Sequence, residues 1–343
     1  MVRTAREVGF PGTARWRRPM PWIAWISLAL LGCASSLEQT PPTADPPDTT
    51  VDPVTELDVP YPPPEGGDPA MSLLDITYVP DGEPRRWLVF VHGGSWVGGD
   101  KGNLELAPDL VSWFLDRGYA VAAPNFRLAS VPEQGHEVTY AEQCADLAAA
   151  LAWLEQHREE YGVTDREVLL LGFSSGAHLV ALLAADERYL LDAGLSHEIL
   201  AGSISFDVHA YDVPYALELM QGSVHEDNIP LIEHLFGDTE EDQRVGSPAT
   251  YAPTADVPPS LLVSAEPSTT LVGSHGQIAW EATQRYGQLL TDAGHDATWV
   301  HFEDESHSGL VMDFGTEGDG PTGAVAAFLD GRPGASPACN TGQ

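Results

Sequence analysis

Short apolar runs alternate with helix-forming stretches from about residue 70 onwards. The apolar runs have the length of strands and lie at residues 87–91, 121–123, 168–171, 261–263 and 298–300. Good helix formers dominate the stretches between them, as at residues 140–154 and 177–185. This alternation predicts an α/β fold around a mostly parallel sheet.

The sequence Gly-Phe-Ser-Ser-Gly at residues 172–176 follows one predicted strand and precedes a predicted helix. A serine on a tight strand-to-helix turn has a strained backbone, and flanking glycines let the two elements approach closely. Its hydroxyl is then exposed above the sheet, beside the N–H groups that begin the helix. This context predicts that Ser174 is a nucleophile.

A second glycine loop, His-Gly-Gly-Ser-Trp at residues 92–96, follows the strand predicted at residues 87–91. Acyl transfer passes through tetrahedral intermediates whose oxyanion needs preorganised N–H donors. Glycines let the backbone come close to a substrate, whereas the histidine of such a loop more often braces it than reacts. We therefore expect the N–H groups of Gly93, Gly94 and Ser175 to form an oxyanion hole.

The order of these motifs resembles that of α/β-hydrolase carboxylesterases. The resemblance rests on residues 92–101, on Asn-Phe-Arg-Leu at residues 125–128 and on the serine turn at residues 172–176. The most similar groups are the hormone-sensitive-lipase-like esterases and the arylformamidases with an HGGxW loop. The resemblance implies a doubly wound sheet with helices on both faces and a Ser-His-acid triad that forms an acyl-enzyme. It implies no cofactor and no metal.

The other triad members are expected after the late strands. His307 lies just beyond the last predicted strand and is the expected general base. The aspartate usual in the family is missing after the preceding strand, where Glu266 is the carboxylate present. We expect Glu266 to be the triad acid, with Asp207 as the main alternative. Glu303 and Asp304, near His307, are further alternatives.

The N-terminus has the features of an export signal. Three arginines at positions 15, 17 and 18 precede an apolar core of about ten residues, which is too short for a membrane span. Cys33 follows Gly32, as in bacterial lipoprotein signals. We expect residues 1–32 to be a signal peptide and Cys33 to be lipidated, which would anchor the protein to a bacterial membrane outside the cytoplasm. A plain secretory signal is the alternative.

Composition divides the remainder of the chain. Residues 33–70 are rich in Pro, Thr, Asp and Glu, which favours a disordered linker. Residues 71–332 suffice for one α/β-hydrolase domain, and residues 333–343 form a short tail. A small insertion before the late strands shows helix-like starts at residues 213–220 and 229–236. It is short for a cap, so we expect an open site for small soluble esters.

The chain is strongly acidic, with 16 basic and 51 acidic residues and a formal net charge of −35. This excludes nucleic acid as a partner and disfavours adhesion of the domain itself to anionic lipids. There are three cysteines, none in a metal motif. Cys144 and Cys339 could pair if Cys33 is lipidated, but Cys144 fits the core side of a helix better.

Hydrolysis of small carboxylic esters is the activity that these features favour. The same residues would serve an arylformamidase, which cleaves an amide bond. A non-catalytic surface lipoprotein that retains the fold is the third interpretation, because the family aspartate is missing from its usual place.

Overall fold

The computed structural model describes residues 51–80, 85–129, 138–267 and 273–331. These residues form eight strands and eleven α-helices. The strands are β1 (Val54–Pro60), β2 (Leu73–Tyr78), β3 (Arg85–Val91), β4 (Tyr119–Pro124), β5 (Val163–Phe173), β6 (Leu200–Phe206), β7 (Ser260–Ala265) and β8 (Ala297–Phe302). The helices are α1 (Pro108–Leu115), α2 (Tyr140–His157), α3 (Ser175–Ala185), α4 (Arg188–Asp192), α5 (Val213–Met220), α6 (Ile229–Phe236), α7 (Glu240–Val245), α8 (Pro248–Tyr251), α9 (His275–Asp292), α10 (Gly309–Met312) and α11 (Gly320–Asp330).

All eight strands belong to one sheet, in the order β1-β2-β4-β3-β5-β6-β7-β8. The pairs β1–β2 and β2–β4 are antiparallel, and every later pair is parallel. Gly172 on β5 is in register with Val91 on β3 and with Ser205 on β6. The prediction of a mostly parallel sheet is confirmed. The loops that follow its parallel strands meet at one edge, where ligands bind in folds of this kind.

Helices cover both faces of the sheet. The side chains of β3 alternate between two apolar clusters, so that Trp87 and Val89 face one cluster and Leu88 and Phe90 the other. The first cluster includes residues of α2, α3 and α9, and the second includes residues of α1 and α11. Burial on both faces explains why the parallel strands are uninterrupted apolar runs, and it confirms the doubly wound architecture.

Four helices, α5 to α8, lie between β6 and β7. α5 and α6 coincide with the two helical segments predicted in the insertion. Each has a proline in its first turn, where the missing N–H has no intrahelical acceptor to lose. The insertion begins just after Asp207, which follows the end of β6 at the edge where the site is expected.

The folded domain begins earlier than predicted. Val54–Pro60 is strand β1 at the sheet edge, and the buried Tyr61 hydroxyl donates to the carbonyl of Asn125 at 2.7 Å. Lys101, the one lysine of the chain, forms ion pairs of 2.8 Å with Asp58 and Asp75. The prediction of a disordered linker up to residue 70 is therefore wrong. An edge strand needs only backbone pairing on one side, so its sequence can stay polar and exposed.

Cys144 is fully buried in α2 with a free thiol, as its position in the helical pattern predicted. Burial raises the pKa of this thiol. The predicted signal peptide, Cys33 and Cys339 lie outside the described residues. Within the described parts of the chain, no helix is both long and apolar enough to cross a bilayer.

Candidate active site

Ser174 stands at the sharp turn between β5 and α3. Its backbone has φ 54° and ψ −125°, a conformation that costs energy in any residue other than glycine. The glycines on either side allow the close contact that this turn requires. A Cβ atom on Gly172 would lie 2.2 Å from the carbonyl oxygen of Gly176, and one on Gly176 would lie 2.2 Å from that of Val91. The spacing of the motif is thus dictated by backbone contacts.

His307 and Asp207 form the hydrogen bond expected of a triad base and its acid. His307 Nδ1 donates to Asp207 Oδ2 at 2.6 Å. The Asp207 side chain is fully buried, and its Oδ1 also accepts the N–H of Ala265 at 3.1 Å. Burial would raise the pKa of Asp207, but the hydrogen bonds from His275 and His307 hold it well below its usual range. The carboxylate is therefore ionised.

The prediction that Glu266 holds the imidazole is wrong. Glu266 Oε1 instead accepts the backbone N–H of His307 at 3.3 Å. Asp207, the alternative, accepts the hydrogen bond from Nδ1 of the His307 ring. Because Nδ1 carries a single proton, neither Glu303 nor Asp304 can serve as the acid there. Both Asp207 (φ 60°) and Glu266 (φ 68°) turn out of their strands in the left-handed region, but only the Asp207 carboxylate meets the ring.

A second histidine, His275, contacts the same carboxylate. His275 Nε2 lies 2.9 Å from Asp207 Oδ2, and its ring centroid is 4.7 Å from that of His307. Burial lowers the pKa of His275, but the hydrogen bond and charge of Asp207 outweigh this and raise it above its usual value. Sequence reasoning missed His275, because the start of α9 is remote from the motifs and carries no signal of its own.

The glycine loop after β3 lies against Ser174, as predicted. A Cβ atom on Gly93 would lie 2.7 Å from the Cβ of Ser174. Gly94 has φ 134°, and a side chain there would lie 2.2 Å from the carbonyl oxygen of Gly98. Ser175 is the first residue of α3, where backbone N–H groups have no intrahelical acceptor. The role of these three N–H groups as an oxyanion hole stays a prediction.

His92 and His178 brace this region. His92 stacks on Phe126 with ring centroids 4.4 Å apart, and burial lowers its pKa. Trp96 Nε1 donates to His178 Nδ1 at 3.2 Å, while His178 Nε2 donates to the carbonyl of Gly246 at 2.8 Å. The bond from Trp96 requires the neutral ring, because Nδ1 must accept, in keeping with a pKa that burial lowers to about 4. These contacts tie the glycine loop to α3 and to the insertion.

These residues enclose a cavity of about 290 Å³. Its lining includes four histidines and three serines. The residues are Ser95, Trp96, Ser174, Ser175, Asp207, Val208, His209, His225, Asn228, Glu266, His275 and His307. Among the described residues, Asp207, His275 and His307 also form a group whose ligand atoms lie within 4.8 Å of one another, close enough to hold a metal ion.

Some known proteins are similar to this chain in sequence, and others are similar in fold. The chain is 27% identical over 247 residues to "Esterase LipQ" of Mycobacterium tuberculosis, covering 69% of this chain and 53% of that protein. It is 30% identical over 126 residues to "Kynurenine formamidase avaC" of Aspergillus versicolor, covering 34% and 43%. The chain thus spans about half the length of the curated relatives it matches.

The crystal structure of esterase B from Lactobacillus rhamnosis is similar in fold. The TM-score is 0.57 at 19% identity, over 74% of this chain and 76% of that one. A family model, BD-FAE, matches residues 74–272, which is more than half of the chain and includes Ser174, Asp207 and the glycine loop. On that match, the chain belongs to the BD-FAE family.

Proposed function

We propose that this protein is a serine hydrolase that cleaves small carboxylic esters through an acyl-enzyme. The observation that carries the proposal is the 2.6 Å hydrogen bond between the buried Asp207 carboxylate and His307, in the cavity that Ser174 lines. A buried acid that orients an imidazole toward a serine is the arrangement of a nucleophilic triad. The match to an esterase supports the choice of ester substrates.

The first half of the reaction acylates the enzyme. His307 Nε2 takes the proton of the Ser174 hydroxyl as Oγ attacks the ester carbonyl. The N–H groups of Gly93, Gly94 and Ser175 donate to the oxyanion that forms. The imidazolium then gives its proton to the departing alcohol, which leaves an acyl-serine.

The second half regenerates the enzyme. Water enters from the cavity and loses a proton to His307 Nε2 as its oxygen attacks the acyl carbonyl. Collapse of the tetrahedral intermediate releases the carboxylic acid and returns the proton to Ser174. Asp207 stays ionised throughout, since its pKa is held low, and stabilises each imidazolium that forms.

The cavity favours small substrates. Its volume of about 290 Å³ is at the lower end for a ligand site, and the insertion places short helices rather than a large cap after β6. The net charge of −35 disfavours anionic esters. We therefore propose neutral esters with short acyl chains.

Ser174→Ala provides the test. Hydrolysis of p-nitrophenyl acetate and butyrate should fall by about 10³-fold or more, and labelling by a fluorophosphonate should disappear. Ser112→Ala, which removes an exposed hydroxyl on α1, is the matched control and should change neither measurement. Full hydrolysis by a folded Ser174→Ala protein would end the esterase proposal. A wild-type protein that resists the fluorophosphonate would instead support a non-catalytic role.

Formamide hydrolysis is the second candidate, favoured by the 30% identity to a kynurenine formamidase. The same triad would attack the formyl carbon and release an amine in place of an alcohol. Comparison of kcat/KM for N-formyl anilides and nitrophenyl esters separates the two activities. A preference for the anilides would replace the ester proposal.

We also propose export as a lipoprotein, for which the support is the sequence around Cys33. Mass spectrometry of the mature protein should find residues 1–32 removed and Cys33 acylated. Cys33→Ser should release the protein from the membrane fraction. An intact N-terminus, or an unmodified Cys33 in soluble protein, would contradict this proposal.

A further inference from the structure

Two imidazoles converge on one carboxylate oxygen in the cavity, and the proposed reaction uses only one of them. Asp207 Oδ2 lies 2.6 Å from His307 Nδ1 and 2.9 Å from His275 Nε2. One ligand atom from each of the three residues lies within 4.8 Å of the other two. A triad requires one histidine, so the second imidazole is a possible metal ligand that ester hydrolysis does not need.

Two imidazole nitrogens and one carboxylate oxygen are a donor set that Zn²⁺ takes in sites that keep a fourth position open. Zinc binds each such atom at about 2.0–2.2 Å, which separates tetrahedral ligands by about 3.3 Å. The two separations from Asp207, 2.6 and 2.9 Å, therefore need to open by a few tenths of an ångström. The two ring nitrogens, which lie within 4.8 Å of each other, need to close by up to about 1.5 Å. Rotation of the two histidines supplies this, since their side chains are 22% and 30% exposed toward the cavity.

The surroundings add donors and charge. The His225 ring centroid is 5.9 Å from that of His275, and the His209 ring centroid is 6.2 Å from it. His209 Nε2 is buried without a hydrogen-bond partner, and Glu266 lines the same cavity. The chain's excess of acidic residues, 51 against 16 basic ones, favours the approach of cations over that of anions.

We propose that this cavity binds a divalent transition-metal ion such as Zn²⁺ through Asp207 Oδ2, His275 Nε2 and His307 Nδ1, and that the bound ion switches hydrolysis off. The inhibitory half rests on the proposed function. The ion is a reversible inhibitor here and has no part in the reaction, because it occupies the groups that activate Ser174.

Inhibition follows from proton positions. A neutral His307 carries its proton on Nδ1, and a metal ion bound at Nδ1 leaves that proton on Nε2. The Nε2 lone pair that should accept the proton of Ser174 is then absent. Asp207 is likewise engaged by the ion and no longer orients the ring. The enzyme keeps its fold and its serine but loses its general base.

Zinc binding and zinc inhibition are measured separately. Calorimetric titration of ZnCl₂ into the Ser174→Ala protein should give one site, whether or not esters are substrates. His275→Gln should weaken that site by about tenfold or more, since loss of an indirect ligand partner alone costs that much. His157→Gln, at the end of α2 far from the cavity, is the matched control and should bind as before. In the wild type, Zn²⁺ should abolish ester hydrolysis and a chelator should restore it.

NMR of the ring nitrogens in the ¹⁵N-labelled wild type provides a measurement that does not depend on whether any variant folds. Added Zn²⁺ should shift His307 Nδ1 and His275 Nε2 together. Equal zinc affinity in His275→Gln and the control, or unshifted nitrogens on these two rings, would overturn the site. Zinc binding at the site with unchanged hydrolysis would overturn the inhibitory role. A wild type that binds zinc there but cleaves no ester even when a chelator has removed the metal would refute the proposed function and leave the metal site standing.

Discussion

Replacing Asp207 by asparagine tests which carboxylate serves the imidazole. Asp207 Oδ2 accepts from His307 Nδ1 at 2.6 Å and from His275 Nε2 at 2.9 Å, while Oδ1 accepts the N–H of Ala265 at 3.1 Å. Asparagine has only one acceptor oxygen. If that oxygen stays with Ala265, the amide NH₂ faces the two rings, so the proton of His307 moves to Nε2. If the amide rotates, its NH₂ faces the buried N–H of Ala265 instead.

The magnitude follows from these contacts. A triad histidine held in the wrong tautomer lowers kcat by about 10⁴, or about 5 kcal/mol of barrier. Glu266→Gln keeps an oxygen for the backbone N–H of His307, a bond that is already long at 3.3 Å. Loss of the charge from such a bond costs about 1 kcal/mol, or less than about tenfold in rate. Asp207→Asn should therefore be slower than Glu266→Gln by about 10³-fold.

The assay is kcat for p-nitrophenyl acetate in both variants, together with the rate of fluorophosphonate labelling. Thermal unfolding of each variant shows whether the fold survives. KM should change little, because the acid acts on the transition state rather than on the bound ester. Equal losses in the two folded variants, or a larger loss in Glu266→Gln, would refute the assignment of Asp207.

Three further predictions concern stability, each measured by urea unfolding. Gly176→Ala should cost about 3 kcal/mol, because its Cβ would meet the carbonyl oxygen of Val91 at 2.2 Å, whereas Gly323→Ala, with open space around it in α11, should gain about 0.5–1 kcal/mol. A buried histidine whose pKa is lowered in the folded protein should make the free energy of unfolding fall by about 1.4 kcal/mol per pH unit as the pH drops from about 6.5. His178 should contribute one such step down to its native pKa of about 4, because only the unfolded chain takes up that proton, and an unchanged slope in His178→Gln would contradict this. Lys101→Met should cost about 3 kcal/mol by removing the ion-pair partner of the largely buried Asp75. Arg166→Met, which removes an exposed arginine while Glu155 keeps Arg158 as a partner, should cost less than about 1 kcal/mol.

Periodicity and glycine spacing predicted the parts of the molecule that backbone contacts dictate. The apolar runs at residues 168–171 and 261–263 lie in β5 and β7, and the serine turn joins β5 to α3. Such runs can be recognised in the sequence because a parallel strand buried on both faces tolerates few polar residues. The position of His307 after the last strand could be predicted for a related reason, since all parallel strands end at one edge of the sheet.

Side-chain choices among several carboxylates could not be predicted in this way. Asp207 and Glu266 each follow a strand. The resemblance favoured Glu266, because it is the carboxylate in the stretch where the family's aspartate is usual, and only the three-dimensional contacts separate the two. His275 gave no signal because it begins a long helix with no motif around it. β1 was missed because an exposed edge strand needs no apolar alternation.

The register of β6 and β7 explains how Asp207 reaches the imidazole from the earlier strand. Phe206 pairs with Val263, so β6 ends while β7 continues for two more residues. Asp207 turns at φ 60° and bonds through Oδ1 to the N–H of Ala265, which brings its carboxylate over the end of β7. The carboxylate of Asp207, which follows β6, therefore takes the position beside the imidazole that a carboxylate after β7 would take. Glu266 is left to bind the main chain of His307, so two acids position one histidine, one through the ring and one through the backbone.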